Sequence, residues 1–227
     1  MSESVKDGAR FEPYPLYVNL DGEPVVVVGG GQVAERKIQT LLEYGACVRL
    51  IAPEATDALQ ALAAESRIEW MPRCYEPGDL DAALFAVCAT DDPHVSEAVY
   101  AEANARHMLV NVVDIPRLCN AIVPSVLKRG RLQIAVSTGG ASPSCARDIR
   151  RSLETRFPEY WEDYLDTLAE LRCLVKERVP GSTDLRTPLY EAIGESNLLA
   201  RFAAGEHIDA ESAFDQIVAP LLKGGER

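Results

Sequence analysis

The sequence has 227 residues, enough for one large domain or two small ones with a sizeable buried core. Hydrophobic residues make up 47% and charged residues 26%, close to the globular average, which argues against a disordered chain. The net charge of −12 argues against nucleic acid or an anionic membrane as a partner, because both attract basic surfaces.

Two further features predict a cytoplasmic protein. No apolar run approaches the roughly 20 residues that a membrane-spanning helix needs. Residues 1–11 lack the basic and apolar stretches of a signal peptide.

The six cysteines contain no CxxC pair, which predicts reduced, mostly buried thiols rather than disulfides or a zinc site. Cys47 and Cys88 lie in apolar, strand-like runs, so we expect both to pack in the core.

The first half of the chain alternates strand and helix signals. Residues 14–20 predict a short edge strand, and residues 25–28, a valine run without a polar face, predict a strand covered on both sides. Further strands are predicted at residues 47–52, 67–71, 84–89 and 108–113, with helices from the residue after the glycine turn to Gly45, at 53–64 and from Asp92-Pro93. Strands separated by helices predict right-handed crossovers and a doubly wound parallel sheet.

The pattern changes after Asp114. Residues 121–127 and 132–137 predict two strands of a hairpin joined across residues 128–131. A helix is expected from Ser142-Pro143 to about Phe157, followed by a helical region with breaks at Pro158, Pro180-Gly181 and Gly205. We therefore divide the chain into a nucleotide-binding domain (residues 1–116), a small β-containing segment (117–157) and a helical C-terminal region (158–227).

Residues 29–34 spell GxGxxA directly after the valine strand and at the beginning of a helix. The first glycine makes the tight turn, the second lets the backbone approach a pyrophosphate, and the small sixth residue lets helix and strand pack closely. The helix N-terminus adds unpaired N–H groups and a positive dipole end. The alternative is a turn without a ligand. We predict a Rossmann-like dinucleotide site with Gly29, Gly30, Gly31, Gln32 and Val33 as cofactor-binding residues.

Two other strand ends are candidates for cofactor contacts. An acid about 20 residues beyond the turn usually binds the ribose of NAD, and here it is absent or displaced to Glu54, next to Pro53. NAD is therefore only a preference over NADP, and Arg49 could point either way. Ala89, Thr90 and Asp91, at the end of the fourth strand, either face the cofactor or cap the next helix, and both could hold.

Asp114 follows a predicted buried strand at the same sheet edge as the glycine turn. A dehydrogenase that takes a hydride from carbon must also dispose of a proton, and a positioned carboxylate can accept it. The alternative is an aspartate that ends a strand and bonds to nearby backbone amides. Position alone leaves the two interpretations equal.

Five sequence blocks occur together in one order and spacing. They are residues 25–37 (VVVVGGGQVAERK), 89–93 (ATDDP), 111–116 (NVVDIP), 122–125 (IVPS) and 135–143 (AVSTGGASP). Over roughly residues 14–157 the chain thereby resembles the precorrin-2 dehydrogenase family, which includes the N-terminal module of siroheme synthases. The resemblance implies NAD-dependent oxidation of precorrin-2 to sirohydrochlorin, in some members ferrous iron insertion to give siroheme, and a homodimer built through residues 117–157.

The resemblance also assigns residues. The aspartate of the NVVD block, the family's key catalytic residue, matches Asp114, and Asn111 begins the same block. The family's SSGG turn matches residues 137–140, where Thr138 replaces the second serine, and we include Ser137, Thr138 and Gly139 among the predicted substrate-binding residues.

Precorrin-2 is rich in carboxylates, so its site should concentrate positive charge. Residues 128–156 contain seven basic and two acidic residues, a balance of 7 − 2 = +5. A solvated helix face is the common explanation of such a run. With the resemblance, we expect carboxylate recognition by Arg147 and Arg150, because arginine binds carboxylates bidentately.

The three histidines, His94, His107 and His207, share no spacing, so we expect ordinary surface residues. The alternative is that they are iron ligands or proton shuttles of a metal-insertion step, and the metal ligands stay unassigned. Two other functions remain open on the sequence alone. One is a regulatory domain that senses NAD(H) without catalysis, and the other is a dehydrogenase of similar fold for another polycarboxylate.

Overall fold

The computed structural model describes residues 12–181 and 183–224, so the signal-peptide prediction for residues 1–11 lies outside the described residues. The chain divides into two compact units, one up to Val123 and one from Pro124 onward. The three-part division at residues 116 and 157 stays a prediction.

The first unit is built on a five-stranded parallel sheet in the order β3-β2-β1-β4-β5. This order is that of a Rossmann-like doubly wound sheet and confirms the predicted fold class. The strands are β1 (Pro24–Val28), β2 (Cys47–Ile51), β3 (Glu69–Met71), β4 (Phe85–Cys88) and β5 (Leu109–Val112).

Helices cover both faces of this sheet. They are α1 (Gln32–Glu43), α2 (Asp57–Ala64) and α3 (Pro93–Ala105). Because side chains alternate between the faces of a strand, Val25 and Val27 pack with Ile38 of α1, whereas Val26 and Val28 pack with Val99 of α3. Residues 25–28 contain no polar side chain because both faces of β1 are buried.

The predicted strand at residues 14–20 is wrong. The segment has no regular secondary structure, and Tyr14, Leu16 and Tyr17 are exposed. The following strand, β1, lies in the middle of the sheet and is already paired with β2 and β4, so it offers no free edge for a hairpin partner.

The predicted helix at residues 53–64 begins later, at Asp57. The hydroxyl of Thr56 accepts a hydrogen bond from the Leu59 amide at 3.3 Å and so caps the helix. Residues 53–56 form a loop between β2 and α2 instead.

The prediction for the cysteines is also wrong in part. Cys88 is buried as expected, but Cys47 is exposed, and of the six thiols four are exposed and one is half-buried. Cys47 shares a face of β2 with Arg49 and Ile51, and only Ile51, at the end of the strand, is buried on that face. An apolar run in the sequence therefore predicts a strand, but it does not predict which residues of that strand are covered by neighbouring elements.

The open edge of β5 is covered by side chains rather than by a sixth strand. Asn120 accepts from the Val110 amide at 2.7 Å and donates to the Met108 carbonyl at 2.8 Å. The Cys119 thiol accepts from the Val112 amide at 3.2 Å and donates to the Val112 carbonyl at 3.1 Å. These contacts satisfy backbone groups that an edge strand otherwise leaves unpaired.

We expect Asn120→Ala to lower the free energy of unfolding by about 1–2 kcal/mol, because it removes one hydrogen bond to Val110 of β5 and one to Met108 just before it. Urea denaturation followed by circular dichroism measures this change. Asn104→Ala, on the exposed side of α3, is the matched control and should stay within about 0.5 kcal/mol of the wild type. Equal stability of both variants would contradict a structural role for Asn120.

The second unit begins with an antiparallel hairpin, β6 (Ser125–Arg129) and β7 (Leu132–Val136). The hairpin is confirmed, but its first strand starts at Ser125 rather than at residue 121, because Ala121 belongs to the first unit, where its amide bonds to the Val110 carbonyl. The helical region and its breaks at Pro158, Pro180-Gly181 and Gly205 are confirmed. The helices are α4 (Pro143–Arg156), α5 (Tyr160–Arg178), α6 (Thr183–Glu195), α7 (Leu198–Ala203), α8 (Ala210–Ala213) and α9 (Ala219–Gly224), with a π-helical turn (Phe214–Val218) before α9.

Candidate functional site

The first two glycines of the turn lie against neighbouring backbone. A Cβ on Gly29 would lie 2.2 Å from the carbonyl oxygen of Ala89, and a Cβ on Gly30 would lie 2.0 Å from that of Glu54. Gly29 also has φ +108°, a conformation that favours glycine. The backbone of the turn therefore packs closely against the end of β4 and the loop after β2. Only glycine fits at positions 29 and 30.

Gly31 has a different environment. It is the N-cap of α1, has an ordinary extended conformation, and a Cβ there would meet no atom within 4 Å. No side chain of the described residues caps this helix. The space above Gly31 and the first-turn amides of Gln32 and Val33 therefore fit a pyrophosphate, which binds helix N-termini through backbone N–H groups.

A clasp between α1 and the loop after β2 supports the turn. The Thr56 amide donates to the Gly30 carbonyl at 3.0 Å, and the Thr56 hydroxyl donates to the Glu35 carboxylate at 2.6 Å. Neither Thr56 nor Glu35 is predictable from the sequence, because their role arises from a contact between residues 21 positions apart. The clasp fixes the glycine turn relative to the end of β2.

Pro53 and Glu54 are exposed at that end of β2, as a ribose contact requires. Arg49, whose direction the sequence left open, forms an ion pair with Glu69 of β3 at 2.9 Å. The guanidinium of Arg49 is thus engaged across the sheet.

At the end of β4, capping and proximity to the turn occur together. Asp92 caps α3 by accepting from the His94 amide at 2.8 Å, and the Thr90 hydroxyl accepts from the Asp92 amide at 3.3 Å. The Ala89 carbonyl lies against Gly29, where a Cβ would clash with it, and Asp91 is exposed. The cofactor role of Ala89, Thr90 and Asp91 stays a prediction.

Asp114 lies in the tight turn that follows β5, and its side chain is exposed. It has φ +60°, a left-handed conformation that aspartate and asparagine tolerate better than other non-glycine residues. The carboxylate forms no hydrogen bond or ion pair with any described residue. The alternative role for Asp114 is to end the strand by accepting hydrogen bonds from nearby backbone amides. No such hydrogen bond is present in residues 12–181 and 183–224.

The register of the sheet relates Asp114 to the glycine turn. Val28 of β1 pairs with Cys88 of β4, which pairs with Val112 of β5. Because neighbouring strands lie about 4.8 Å apart, the ends of β1 and β5 are about 10 Å apart on one sheet edge. The glycine turn, Ala89 and Asp114 follow these three strands in turn, an arrangement that suits one bound cofactor and a reactant beside it.

Asn111, predicted to bind substrate, donates from its amide to the Ala121 carbonyl at 3.0 Å. This bond helps hold the segment that covers the edge of β5. The structure thus gives Asn111 a structural contact, and its substrate role stays a prediction.

The Ser137–Gly140 turn of the second unit is closed by hydroxyl groups. Ser137 Oγ accepts from the Gly139 amide at 3.2 Å. Thr138 Oγ1 accepts from the Ser142 amide and donates to the Ser142 carbonyl, both at 3.0 Å. Ser142 in turn caps α4 by accepting from the Cys145 amide at 3.2 Å. The hydroxyl of Thr138 is therefore engaged in shaping the turn.

The basic residues of α4 differ in their surroundings. Arg150 forms an ion pair with Glu154 one turn later. Arg147 is exposed and has no ion-pair partner among the described residues. Of the two predicted arginines, Arg147 has its guanidinium available for an incoming anion.

The three histidines are exposed, as expected. Among residues 12–181 and 183–224, no group of three His, Cys, Asp or Glu side chains is placed to hold a metal ion. Within this described part of the chain, no helix combines the length and the apolar character that crossing a membrane requires.

Comparison with known families matches both units. Residues 16–125 match the model of an NAD(P)-binding family, and residues 129–156 match that of the central part of a sirohaem biosynthesis protein. The chain therefore carries a nicotinamide dinucleotide-binding domain.

Similar proteins of known name are siroheme synthases. The protein from Pseudomonas entomophila is 39% identical over 93% of this chain, and that from Methylobacillus flagellatus is 37% identical over 92%. The alignments cover 46% and 44% of those proteins, so the chain spans less than half of their length. Among solved structures, SirC, a precorrin-2 dehydrogenase, is 27% identical with a TM-score of 0.75, covering 90% of this chain and 98% of SirC.

Proposed function

The chain belongs to the family of precorrin-2 dehydrogenases and siroheme synthase N-terminal modules, and on that premise we propose that it oxidises precorrin-2 to sirohydrochlorin with NAD. The observation that carries the proposal is that the glycine turn and the Asp114 carboxylate, which pairs with no described residue, lie at one edge of the sheet. A cofactor bound at the first and a substrate beside the second would be adjacent.

The backbone around the glycine turn binds the cofactor. The amides of Gln32 and Val33 would hold the pyrophosphate, and the close backbone contacts of Gly29 and Gly30 keep the turn in place. Pro53 and Glu54 lie at the ribose end, and Ala89, Thr90 and Asp91 lie beside the turn towards β5. When bound, the nicotinamide ring supplies the acceptor for the hydride that leaves the macrocycle.

Asp114 acts as the general base. Its carboxylate is exposed, faces no competing donor among the described residues, and can accept the proton that must leave when a carbon–hydrogen bond is oxidised. Its left-handed backbone conformation is of the kind that active sites tolerate for the sake of placing a side chain.

Within the second unit, Arg147, Arg150 and the Ser137–Gly140 turn are the proposed ligands for carboxylates. Arg147 offers an unpaired guanidinium, and Arg150 offers one that exchanges its partner Glu154 for the ligand. Ser137 contributes its hydroxyl hydrogen, because its oxygen only accepts from the Gly139 amide, whereas Thr138 and Gly139 shape the turn, since the Thr138 hydroxyl is engaged by Ser142. Asn111 contributes its carbonyl oxygen, since its amide is held by Ala121.

The cofactor is NAD rather than NADP. Glu54 places a carboxylate near the ribose, where it would bind the hydroxyl of NAD and repel the phosphate of NADP. Arg49, a candidate for binding that phosphate, is paired with Glu69.

Three other features of the family extend the proposal. Residues 117–157 form the interface of a homodimer, the protein acts in the cytoplasm, and ferrous iron is a second substrate, inserted into sirohydrochlorin. No metal ligands are assigned for this last step.

The decisive experiment incubates the purified chain with precorrin-2 and NAD⁺ and follows the absorption spectrum of sirohydrochlorin. We expect turnover with NAD⁺ and a kcat/KM at least about tenfold lower with NADP⁺. Ferrous iron added to the same cuvette tests metal insertion, and light scattering tests the dimer.

The other candidates give different results. A regulatory domain would bind NAD(H) and form no sirohydrochlorin, and a dehydrogenase for another polycarboxylate would reduce NAD⁺ only with that substrate. Either result would overturn the proposed function.

A further inference from the structure

Lys37 lies at the edge of the buried face of α1. It follows Ala34 by three residues and precedes Leu41 by four, and these two residues are buried on that face. The Lys37 side chain is itself half-buried. Removing an ammonium group from water is costly unless an anion is close. Among the described residues, however, Lys37 forms neither an ion pair nor a hydrogen bond.

The anion that acts on Lys37 is Asp114. Val113, which precedes Asp114, packs against the same core cluster that contains Ala34 and Ile38 of α1, so the residues next to Asp114 and Lys37 lie on the same face of the sheet. Burial lowers the pKa of Lys37, the Arg36 guanidinium lowers it further, and the Asp114 carboxylate raises it. The ammonium and the carboxylate are thus neighbours without direct contact, and each lacks a partner of its own.

We infer that Lys37 is a further binding residue of this site, whose ammonium binds a carboxylate of the substrate beside Asp114. The inference rests on the proposed function, because it names the cation that holds a polycarboxylate against the general base. A substrate carboxylate near Asp114 is repelled by the Asp114 carboxylate. The Lys37 ammonium, which has three hydrogen-bond donors, offsets this repulsion through charge-assisted hydrogen bonds to the substrate.

The position of Lys37 favours the substrate over the cofactor phosphates. Lys37 is the sixth residue of α1, five residues after Gln32, which places its Cα about 7.5 Å along the helix axis from the first turn. The pyrophosphate site lies at the beginning of the helix, above Gly31. Lys37 lies further along α1, next to Ile38, which belongs to the core cluster that Val113 also contacts.

Kinetics of three variants test the assignment. We expect Lys37→Met to raise the KM for precorrin-2 about ten- to hundredfold, the loss of one charge-assisted hydrogen bond, and to leave the Kd for NAD⁺ unchanged. Lys37→Arg should restore most of the loss, and Arg36→Met, which removes an exposed cation next to it, should leave KM unchanged. An unchanged KM in Lys37→Met, or a weaker Kd for NAD⁺ instead, would overturn the inference.

A second experiment needs no turnover and so separates this inference from the proposed function. The chain has five lysines, at positions 6, 37, 128, 176 and 223, whose ¹³C-methylated forms can be titrated by NMR, with Lys37→Arg identifying one signal. We expect Lys37 to have a lowered pKa, and Asp114→Asn to lower it further because the carboxylate's raising influence is lost.

The same signal reports ligand binding. Uroporphyrin, a stable tetrapyrrole polycarboxylate, should raise the Lys37 titration midpoint and leave the midpoints of Lys176 and Lys223 unchanged. If Asp114→Asn leaves the midpoint of Lys37 where it was, the two groups are not neighbours. If uroporphyrin does not move it, Lys37 does not bind the carboxylates, whether or not the wild type oxidises precorrin-2.

Discussion

Asp114→Asn is expected to reduce the rate of sirohydrochlorin formation by about 10²–10⁴-fold, the usual contribution of a general base. Asparagine has nearly the same size as aspartate but cannot accept the proton. The exchange is also mild for the fold, because asparagine tolerates the left-handed φ of +60° about as well as aspartate, whereas alanine would add strain. The amide variant therefore isolates the chemistry from the backbone.

Binding of NAD⁺ should survive this substitution. The end of β5 lies two strands from the glycine turn, and the Asp114 side chain forms no hydrogen bond or ion pair with a described residue of the turn. The measurements are single-turnover absorbance at saturating NAD⁺ and the Kd for NADH from its fluorescence. Asp57→Asn, an exposed aspartate in α2, serves as the matched control and should keep full turnover. Wild-type turnover in Asp114→Asn would remove Asp114 from the mechanism.

The parts of the fold that the sequence predicted are those with a strong local pattern. A valine run without a polar face indicates a strand covered on both sides, and Asp92-Pro93 is sufficient to start α3. The segment at residues 14–20 is also rich in apolar residues, yet it has no strand to pair with, because β1 is already flanked on both sides. Strand formation depends on a partner, and a partner is not a local property.

The same distinction applies to the site. The glycine turn and Asp114 are predictable because each follows a strand end directly. Thr56, Glu35 and Lys37 are not, because a threonine before a helix predicts only a cap and a lysine in a helix predicts only an exposed charge. Their roles arise from contacts between segments far apart in sequence, such as the 2.6 Å bond from Thr56 to Glu35.

The glycine turn should separate stability from cofactor binding when its members are replaced one at a time. Gly29→Ala and Gly30→Ala place a Cβ 2.2 Å and 2.0 Å from backbone oxygens, and Gly29 adds an unfavourable φ of +108°. Real Cβ atoms do not approach backbone that closely, so the turn must move. We expect the free energy of unfolding to fall by roughly 2–4 kcal/mol in each variant.

Gly31→Ala should behave in the opposite way. Its Cβ would meet no protein atom within 4 Å and its φ of −81° suits alanine, so stability should change by less than about 1 kcal/mol. The added methyl group instead occupies the space where the pyrophosphate approaches the backbone, and the Kd for NAD⁺ should rise at least about tenfold. Urea denaturation and NADH fluorescence on the three variants measure both quantities. Tight NAD⁺ binding by a stable Gly31→Ala variant would mean that the cofactor does not lie over this turn, and the proposed site would then have to be abandoned.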